Sequence, residues 1–390
     1  MREMKDSGVE WIGEIPCDWK LERSQWHLEE VNISNNPIQT NNVLSLTNKL
    51  GVVPYEEKGN QGNKSKENVY EYKLAYPNTI VANSMNILIG SVGLCDYFGC
   101  VSPVYYVFRA KKYNNIKFLN YVFQTVGFQR ELRKYANGIL EIRLRVSSSD
   151  ILKRFIPFPS EIEQQRIAEF LDRACGKIDG LKADIQVQID TLEQYKRSVI
   201  TEAVTHGLNP SAPMKDSGIP WVGQFPTHWT KKKGKYILRY MSKPVKQDDG
   251  VITCFRDGEV TLRSNRREDG FTMADKEIGY QGVDVGDLVV HGMDGFAGAI
   301  GISDSRGKAS PVLNVLNTKQ NKKYIMYYLR SMAYGEVFTA LSTGIRVRSC
   351  DLRWNKLAEL LYPLPPIDEQ NNVVNYIDEG IIYGEQKLKI

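Results

Sequence analysis

The feature that most constrains this chain is an internal duplication. The pattern Met-Lys-Asp-Ser-Gly-x-x-Trp-x-Gly-x-x-Pro-x-x-Trp begins at Met4 and again at Met214, and nine of its sixteen positions are identical at an offset of 210. Two repeats are too few for a solenoid, whose units cannot bury a core alone. Each repeat has about 200 residues, which is enough to fold independently. The sequence therefore predicts two related domains.

The similarity continues along both repeats. The glycine of Gly51-Val52-Val53 corresponds to Gly258, and Lys117 and Tyr121 correspond to Lys323 and Tyr327. The segment Pro157-Phe158-Pro159, followed by Glu163-Gln164, recurs as Pro363-Leu364-Pro365, followed by Glu369-Gln370. The duplication therefore covers almost the whole chain.

Within each repeat the sequence pattern changes once. Short β-branched and aromatic runs broken by Gly, Asn and Pro predict strands, as at 79–82, 104–108, 288–290 and 312–316. Helical spacing at 117–126 and 323–332 predicts helices between them. The expected fold class is α+β, with two α/β domains in a pseudo-two-fold tandem repeat.

After the first Pro-x-Pro the pattern becomes that of one long helix, from Glu161 to about His206, which Gly207 and Pro210 end. Its apolar residues alternate in steps of three and four, which indicates a seam that packs against another helix. The residues of this seam are Leu171, Ala174, Ile178, Leu181, Ile185, Leu192, Tyr195 and Val199. The natural partner is the second helix, whose slots are Val374, Ile377, Ile381 and Leu388.

Composition excludes several classes of protein. A hydrophobic share of 42% with 25% charged residues is typical of a globular protein rather than a disordered or fibrous one. No stretch has the roughly 20 apolar residues that a transmembrane helix needs, and the first residues contain no apolar segment typical of a secretory signal. Six cysteines are too few for a disulfide scaffold. We expect a reduced, cytoplasmic protein that does not bind a membrane.

The net charge of +5 is distributed unevenly. Residues 20–150 carry 16 basic and 11 acidic side chains, and residues 230–350 carry 20 and 13, so the rest of the chain is acidic. Two basic blocks, one in each repeat, favour a polyanionic partner over a merely solvated surface.

Catalytic signatures are missing from the sequence. It contains no phosphate-binding GxxxxGK[ST], no GxSxG nucleophile turn and no HExxH metal motif. The Asn/Asp-Pro-Pro-aromatic turn of DNA amino-methyltransferases is also absent. The four histidines are scattered, and no Cys/His spacing fits zinc. Two basic domains without a catalytic constellation indicate a binding protein.

The duplicated Trp-containing pattern, and the duplicated Pro-x-Pro and Glu-Gln before a long helix, resemble the specificity (HsdS) subunits of type I restriction-modification systems. The resemblance implies a non-catalytic DNA-binding subunit of a restriction endonuclease and methyltransferase complex that defends against foreign DNA. Each of two target recognition domains would read one half of a bipartite, asymmetric site in double-stranded DNA. The conserved helices would form an antiparallel coiled coil, act as spacers and dock methyltransferase (HsdM) subunits, which the motor-nuclease (HsdR) subunits then join.

On this resemblance the expected domains are residues 1–159 and 207–365, with spacer helices at 160–206 and 366–390. No cofactor is expected on this subunit, since S-adenosylmethionine, ATP and Mg²⁺ would bind only to partner subunits. The second helix is much shorter than the first. We therefore expect an apolar stripe on the first helix without an intramolecular partner, and possible self-association through it.

Candidate DNA contacts follow from chemistry, because Lys and Arg bind phosphates while Arg, Asn and Gln read base edges. The candidates lie in polar loops next to the equivalent glycines Gly51 and Gly258, before each Pro-x-Pro, and at two equivalent strand ends. They are Lys58, Asn60, Gln61, Asn63, Lys64, Lys66, Arg143, Arg145, Arg256, Arg263, Asn265, Arg266, Arg267, Arg346 and Arg348, and, at lower rank, His291 and its equivalent Asn83.

Two alternatives belong to other classes. A symmetric protein-binding adaptor would lack steep salt dependence and DNA preference. An autonomous DNA-modifying enzyme would cleave or methylate DNA by itself.

Overall fold

The computed structural model describes residues 2–47, 51–58, 68–111, 114–138, 144–266, 277–341 and 352–387. The chain forms two compact units, Met1–Ala183 and Asp184–Ile390, whose boundary lies within one long helix. We refer to them as the first and second unit.

The described helices and strands alternate along both units. The helices are α1 Ser24–His27, α2 Ile116–Gln124, α3 Val126–Arg133, α4 Ser148–Leu152, α5 Glu161–His206, α6 Gly234–Ile237, α7 Lys322–Tyr334, α8 Val337–Ala340, α9 Trp354–Glu359 and α10 Ile367–Lys387. The strands of the first unit are β1 Met4–Asp6, β2 Glu14–Pro16, β3 Lys20–Arg23, β4 Leu28–Glu30, β5 Leu44–Thr47, β6 Gly51–Pro54, β7 Lys73–Ala75, β8 Thr79–Asn83, β9 Val92–Cys95, β10 Gly99–Val101, β11 Tyr105–Ala110 and β12 Phe155–Phe158. Those of the second unit are β13 Met214–Asp216, β14 Gln224–Pro226, β15 Thr230–Lys233, β16 Leu238–Tyr240, β17 Ile252–Cys254, β18 Val260–Leu262, β19 Gln281–Val283, β20 Leu288–His291, β21 Ile300–Ile302, β22 Gly307–Ala309, β23 Leu313–Thr318 and β24 Leu361–Leu364.

Both units contain the same antiparallel four-stranded sheet. Its strand order is β4-β11-β8-β9 in the first unit and β16-β23-β20-β21 in the second. The two-stranded pairs also correspond, since β5–β6 matches β17–β18, β7–β10 matches β19–β22 and β3–β12 matches β15–β24. The duplicated sequence thus folds twice into one α+β topology, as predicted.

Each sheet is covered on both faces, because successive strand residues point to opposite sides. In β8, Ile80 belongs to the cluster that packs with α2 and α3, whereas Val81 packs with β5 and β6. In β20, Val290 belongs to the cluster that includes α7, and Val289 packs with β17 and β18. The sequences of these strands are therefore continuously apolar and do not alternate between apolar and polar residues.

Helix α5 has the predicted bounds and 46 residues. Gly207, with a φ of +79°, follows its last residue in the left-handed conformation that glycine adopts at helix ends. Its C-terminal end is buried, with Ile200 and Val204 in the core of the second unit. Its middle is exposed, and the side chains of Ile178, Leu181, Ile185, Leu192 and Tyr195 are about half accessible or more.

Helix α10 packs on the core of the second unit. Val374 and Ile377 are buried in this core, which also contains Ile200 and Val204 of α5, and Ile381 packs against it. Helix α10 also contacts α7 directly. Packing of α10 along the seam residues of α5 stays a prediction. Leu388 lies outside the described residues. Among the described residues no helix is long and apolar enough to cross a membrane.

Candidate nucleic-acid interface and helix anchors

Three predicted arginines of the second unit, Arg256, Arg263 and Arg266, lie around the turn between β17 and β18. Arg256 lies in this turn with its side chain 62% exposed, and its Nη2 contacts Asp294 Oδ1 at 2.8 Å. Arg266 follows β18, and its Nη1 contacts both Asp257 Oδ2 at 2.7 Å and Glu259 Oε2 at 2.8 Å. The ion pairs hold the guanidinium groups in place and leave Arg256 largely accessible.

Two further predicted side chains are tied to the same hairpin. Arg263 Nε donates to Thr253 Oγ1 at 3.3 Å, and Asn265 Nδ2 donates to Thr261 Oγ1 at 2.8 Å. Both residues belong to a 3₁₀ turn after β18. The hairpin therefore presents three arginines and one asparagine in neighbouring positions, the residue types that bind phosphates and read guanine or adenine.

Arg330 also belongs to this cluster, although no sequence pattern singled it out. It comes from α7, and its Nη2 donates to the carbonyl of Asp257 at 2.7 Å. The guanidinium occupies the space where Gly258 lacks a Cβ, and Gly258 has a φ of +93°, which favours glycine. The available signal was a charged residue inside a largely apolar helical segment.

A cleft of about 620 Å³ lies beside the β17–β18 turn, between the hairpin, α7 and α5. Its basic lining residues are Lys196 and Arg197 of α5 together with Arg256 and Arg330. Acidic residues line it as well, namely Glu193, Asp257 and Glu336. The cleft thus combines basic groups from the long helix with those of the β17–β18 turn and α7.

His291 has a structural contact that the prediction did not anticipate. Its Nδ1 accepts hydrogen bonds from the backbone amides of Met293 at 3.2 Å and Asp294 at 2.9 Å. Burial lowers its pKa, so the ring is neutral at pH 7. Asn83 accepts equivalent bonds from Met85 and Asn86. The Nδ1 atom of His291 therefore caps a turn, and a DNA contact by this residue stays a prediction.

In the first unit Lys58 also differs from the expectation of an exposed loop residue. It ends a 3₁₀ turn, is 7% exposed, and its ammonium lies 4.0 Å from the centroid of the Tyr55 ring. Arg145 is exposed and forms a backbone bridge with Asn137. The remaining candidates, Asn60, Gln61, Asn63, Lys64, Lys66, Arg143, Arg267, Arg346 and Arg348, lie outside the described residues.

The duplicated motifs of the sequence meet in space where each helix after a Pro-x-Pro begins. Trp19 of the opening pattern donates its Nε1–H to Glu163 Oε2 at 2.9 Å. Trp229 donates to Glu369 Oε1 at 3.0 Å in the same way. The Trp of the first motif therefore holds the Glu of the second, which explains why both motifs recur.

The glutamine beside each glutamate forms a second anchor. Gln164 is fully buried, donates from Nε2 to the carbonyl of Pro159 at 3.0 Å and accepts from the amide of Asn115 at 3.0 Å. Gln370 is also fully buried and makes the corresponding bonds to Pro365 at 2.9 Å and Asn321 at 3.0 Å. Asn115 and Asn321 in turn cap the N-termini of α2 and α7.

A third anchor lies nine residues after each glutamate. Asp172 accepts from Lys117 Nζ at 2.7 Å and from the Tyr121 hydroxyl at 2.8 Å, and the lysine and then the tyrosine lower its pKa. Asp378 contacts Lys323 and Tyr327 in the same arrangement. Neither aspartate was singled out from the sequence, although their lysine and tyrosine partners were. The shared spacing from the Glu-Gln pair was the signal.

No grouping of three His, Cys, Asp or Glu side chains suited to a metal ion occurs among the described residues. The arrangement offers hydrogen-bonding and charged groups for binding.

Comparison with known proteins agrees with these features. Residues 27–191 match the family model described as the type I restriction modification DNA specificity domain. A curated relative, the type I restriction enzyme StySPI specificity subunit of Salmonella potsdam, is 19% identical over 292 residues, which are 71% of this chain. The match spans 61% of that relative's length.

Solved structures share the fold. One similar chain comes from a structure described as the structural basis underlying complex assembly and conformational transition of the type I R-M system. It has a TM-score of 0.66 at 13% identity, over 96% of this chain and 93% of that one. The HsdS subunit from Thermoanaerobacter tengcongensis has a TM-score of 0.50 at 13% identity, over 96% and 90%. The resemblance indicated by the repeated motifs thus agrees with the match of residues 27–191 to the type I specificity domain and with the fold shared with these solved structures.

Proposed function

We propose that this protein is the non-catalytic subunit that recognises DNA sequence in a type I restriction-modification complex. Each unit reads one half of a bipartite, asymmetric site in double-stranded DNA. The duplication carries this proposal, since one specificity-type fold occurs twice with equivalent helix anchors. Two similar modules suit two separate half-sites, and divergent loops on a common scaffold suit two different half-sites.

The arginines of the second unit support the reading role. Arg256, Arg263 and Arg266 lie around one hairpin, and Arg330 and the cleft beside it add further basic groups. Arginine pairs with the major-groove edge of guanine, and Asn265 offers the amide that suits adenine. We assign the half-site contacts of the second unit to this hairpin.

Helix α5 supports the spacer and docking roles. A helix of 46 residues is roughly 69 Å long at ~1.5 Å per residue, which can hold two half-sites apart. Half-exposed Ile178, Leu181 and Ile185 offer an apolar stripe to methyltransferase (HsdM) subunits, or to a second copy of the chain. The predicted antiparallel coiled coil belongs to this proposal. Motor-nuclease (HsdR) subunits join the assembled core, and S-adenosylmethionine, ATP and Mg²⁺ bind to the partner subunits.

The test is to co-express the chain with its methyltransferase subunit and to map the modified sites across the genome. The combined variant Arg263→Ala, Asn265→Ala and Arg266→Ala should lose specificity for one half-site and keep the other. Equal loss of both halves by a folded variant would contradict the two-module proposal. Methylation by the purified chain alone would favour an autonomous enzyme, and binding without salt dependence or DNA preference would favour an adaptor.

A further inference from the structure

A second basic surface lies on the second unit, formed by residues 230–240 and 353–359, and we call it the β15–α6–α9 surface. Strand β15 pairs with β24, and α6 packs against α9. The contact is close, because the amide of Gly234 donates to the carbonyl of Leu360 at 2.9 Å and a Cβ on Gly234 would overlap the carbonyl of Leu357. The two segments therefore form one continuous surface.

The charge of this surface differs sharply between the two repeats. In the second repeat it holds seven basic residues and one acidic residue, Glu359. The equivalent first-repeat segments, residues 20–30 and 147–153, hold three basic and four acidic residues. Because the backbone is the same in both units, the difference reflects the side chains chosen at one structural position rather than a different fold.

The positive charge of the surface exceeds what its own acid can balance. Lys233 Nζ and Lys235 Nζ contact the two oxygens of Glu359 at 2.7 and 2.8 Å, and these ammonium groups lower the pKa of Glu359 to about 2. Lys356 is exposed on the same short helix. One carboxylate shared by two lysines leaves a surplus that attracts anions.

An exposed aromatic side chain marks the same position in both repeats. Tyr236 is 73% exposed, with Lys235 Nζ 5.6 Å from its ring centroid, and its equivalent Trp26 is 56% exposed. Tyr240 and Trp354 form a second aromatic pair, with ring centroids 5.9 Å apart. Tyr and Trp are enriched at binding surfaces because they combine apolar area with a polar group.

A short series of contacts within the second unit links the β15–α6–α9 surface to the arginines of the β17–β18 turn. Arg256 contacts Asp294, whose amide donates to His291. The carbonyl of the next residue, Gly292, accepts from the amide of Leu352, directly before Arg353 and α9. The two basic regions therefore adjoin through one turn of the second unit.

We propose that the β15–α6–α9 surface binds the phosphate backbone of duplex DNA outside the bases that the second unit reads. This inference rests on the proposed function and extends it to a sequence-independent contact made by one unit only. Such contacts release counterions, and the slope of log affinity against log salt changes by about 0.9 for each phosphate neutralised.

The test compares three variants of the full chain for binding to a short DNA duplex of mixed sequence over a range of salt concentrations. The first combines Lys233→Gln, Lys235→Gln and Lys356→Gln. We expect a salt slope shallower by about two to three, with affinity reduced about tenfold or more at low salt. The second, Glu359→Gln, removes the only acid and should strengthen binding.

The matched control makes the same number of changes at the equivalent first-repeat position, namely Lys20→Gln, Arg23→Gln and Lys153→Gln. Its salt slope should change by less than about one. Equal slopes for the two triple variants would overturn the inference. So would unchanged DNA binding with loss of methyltransferase co-purification, which would indicate an acidic protein partner. If the unsubstituted chain shows no salt-dependent binding to DNA at all, the proposed function is overturned as well. Failure of the inference about this surface is therefore distinguishable from failure of the proposed function.

Discussion

The buried glutamines at the helix anchors allow a quantitative test of how each unit holds its helix. Gln164→Ala removes two hydrogen bonds in a fully buried position and leaves the Pro159 carbonyl and the Asn115 amide without those partners. Each lost bond costs about 1 kcal/mol net, and an unsatisfied buried group costs more, so we expect the first unit to lose roughly 2–4 kcal/mol. Gln370→Ala should do the same to the second unit.

Hydrogen exchange in the full chain is the suitable assay, because two units need not unfold in one transition. Gln164→Ala should speed exchange at the start of α2 and leave α7 protected, and Gln370→Ala should do the reverse. The control is Gln186→Ala, an exposed position on α5 whose Nε2 contacts Asp190 at 2.9 Å, with an expected effect below about 0.5 kcal/mol. If both anchor variants behave like this control, the anchors do not stabilise the units.

Three further predictions follow from individual contacts. Gly301→Ala should destabilise the second unit by roughly 2–3 kcal/mol, because the new Cβ would overlap the backbone carbonyl of Gly258. At the equivalent position of the first unit, the Cβ of Gly93→Ala would meet ordinary contacts at 3.4 Å. Thermal unfolding should therefore show a clear loss of stability for Gly301→Ala and little change for Gly93→Ala. A hydrogen bond from Arg306 lowers the pKa of Asp249 to about 2, so this pair should stabilise the second unit by about 2 kcal/mol above pH ~4 and lose that effect as the pH falls towards ~2. If the free energy of unfolding of Arg306→Met falls with pH in parallel with that of the unsubstituted protein over this range, the prediction is contradicted. Thiol labelling at mild alkaline pH should modify exposed Cys175 quickly and spare the thiols whose pKa burial raises to about 11 or 12, namely Cys95, Cys100 and Cys254.

The long helix and the duplicated domains could be predicted from the sequence because both depend on local pattern. Helix α5 begins at Glu161 after Pro-x-Pro and ends before Gly207, and both boundaries are chemical signals that act within a few residues. The strands of the four-stranded sheets could also be predicted, because their signal is a local pattern as well. Apolar, β-branched runs such as Thr79–Asn83 indicate buried strands whatever their partners are.

Contacts between distant segments could not be predicted in the same way. Arg330 joins the arginine cluster because Gly258 leaves space for it, which depends on packing between α7 and a turn about 70 residues away. Val374 and Ile377 keep helical spacing whether they face another helix or a domain core, so periodicity alone could not decide their partner. The sequence shows His291 as a polar residue at a strand end, but it does not show that the ring nitrogen caps the next turn.

The central claim is that two units read two half-sites at a distance fixed by α5. The most direct test maps the modified sites of the complex with its methyltransferase subunit, for the unsubstituted chain and for a variant with seven residues inserted after Ala183, where the two units divide. The insertion adds two helical turns, or ~10.5 Å at ~1.5 Å per residue, which corresponds to roughly three base-pair steps of ~3.4 Å. We predict a bipartite motif whose spacer lengthens while both half-sites stay the same. A contiguous motif, or an unchanged spacer in a variant that still modifies DNA, would contradict the account.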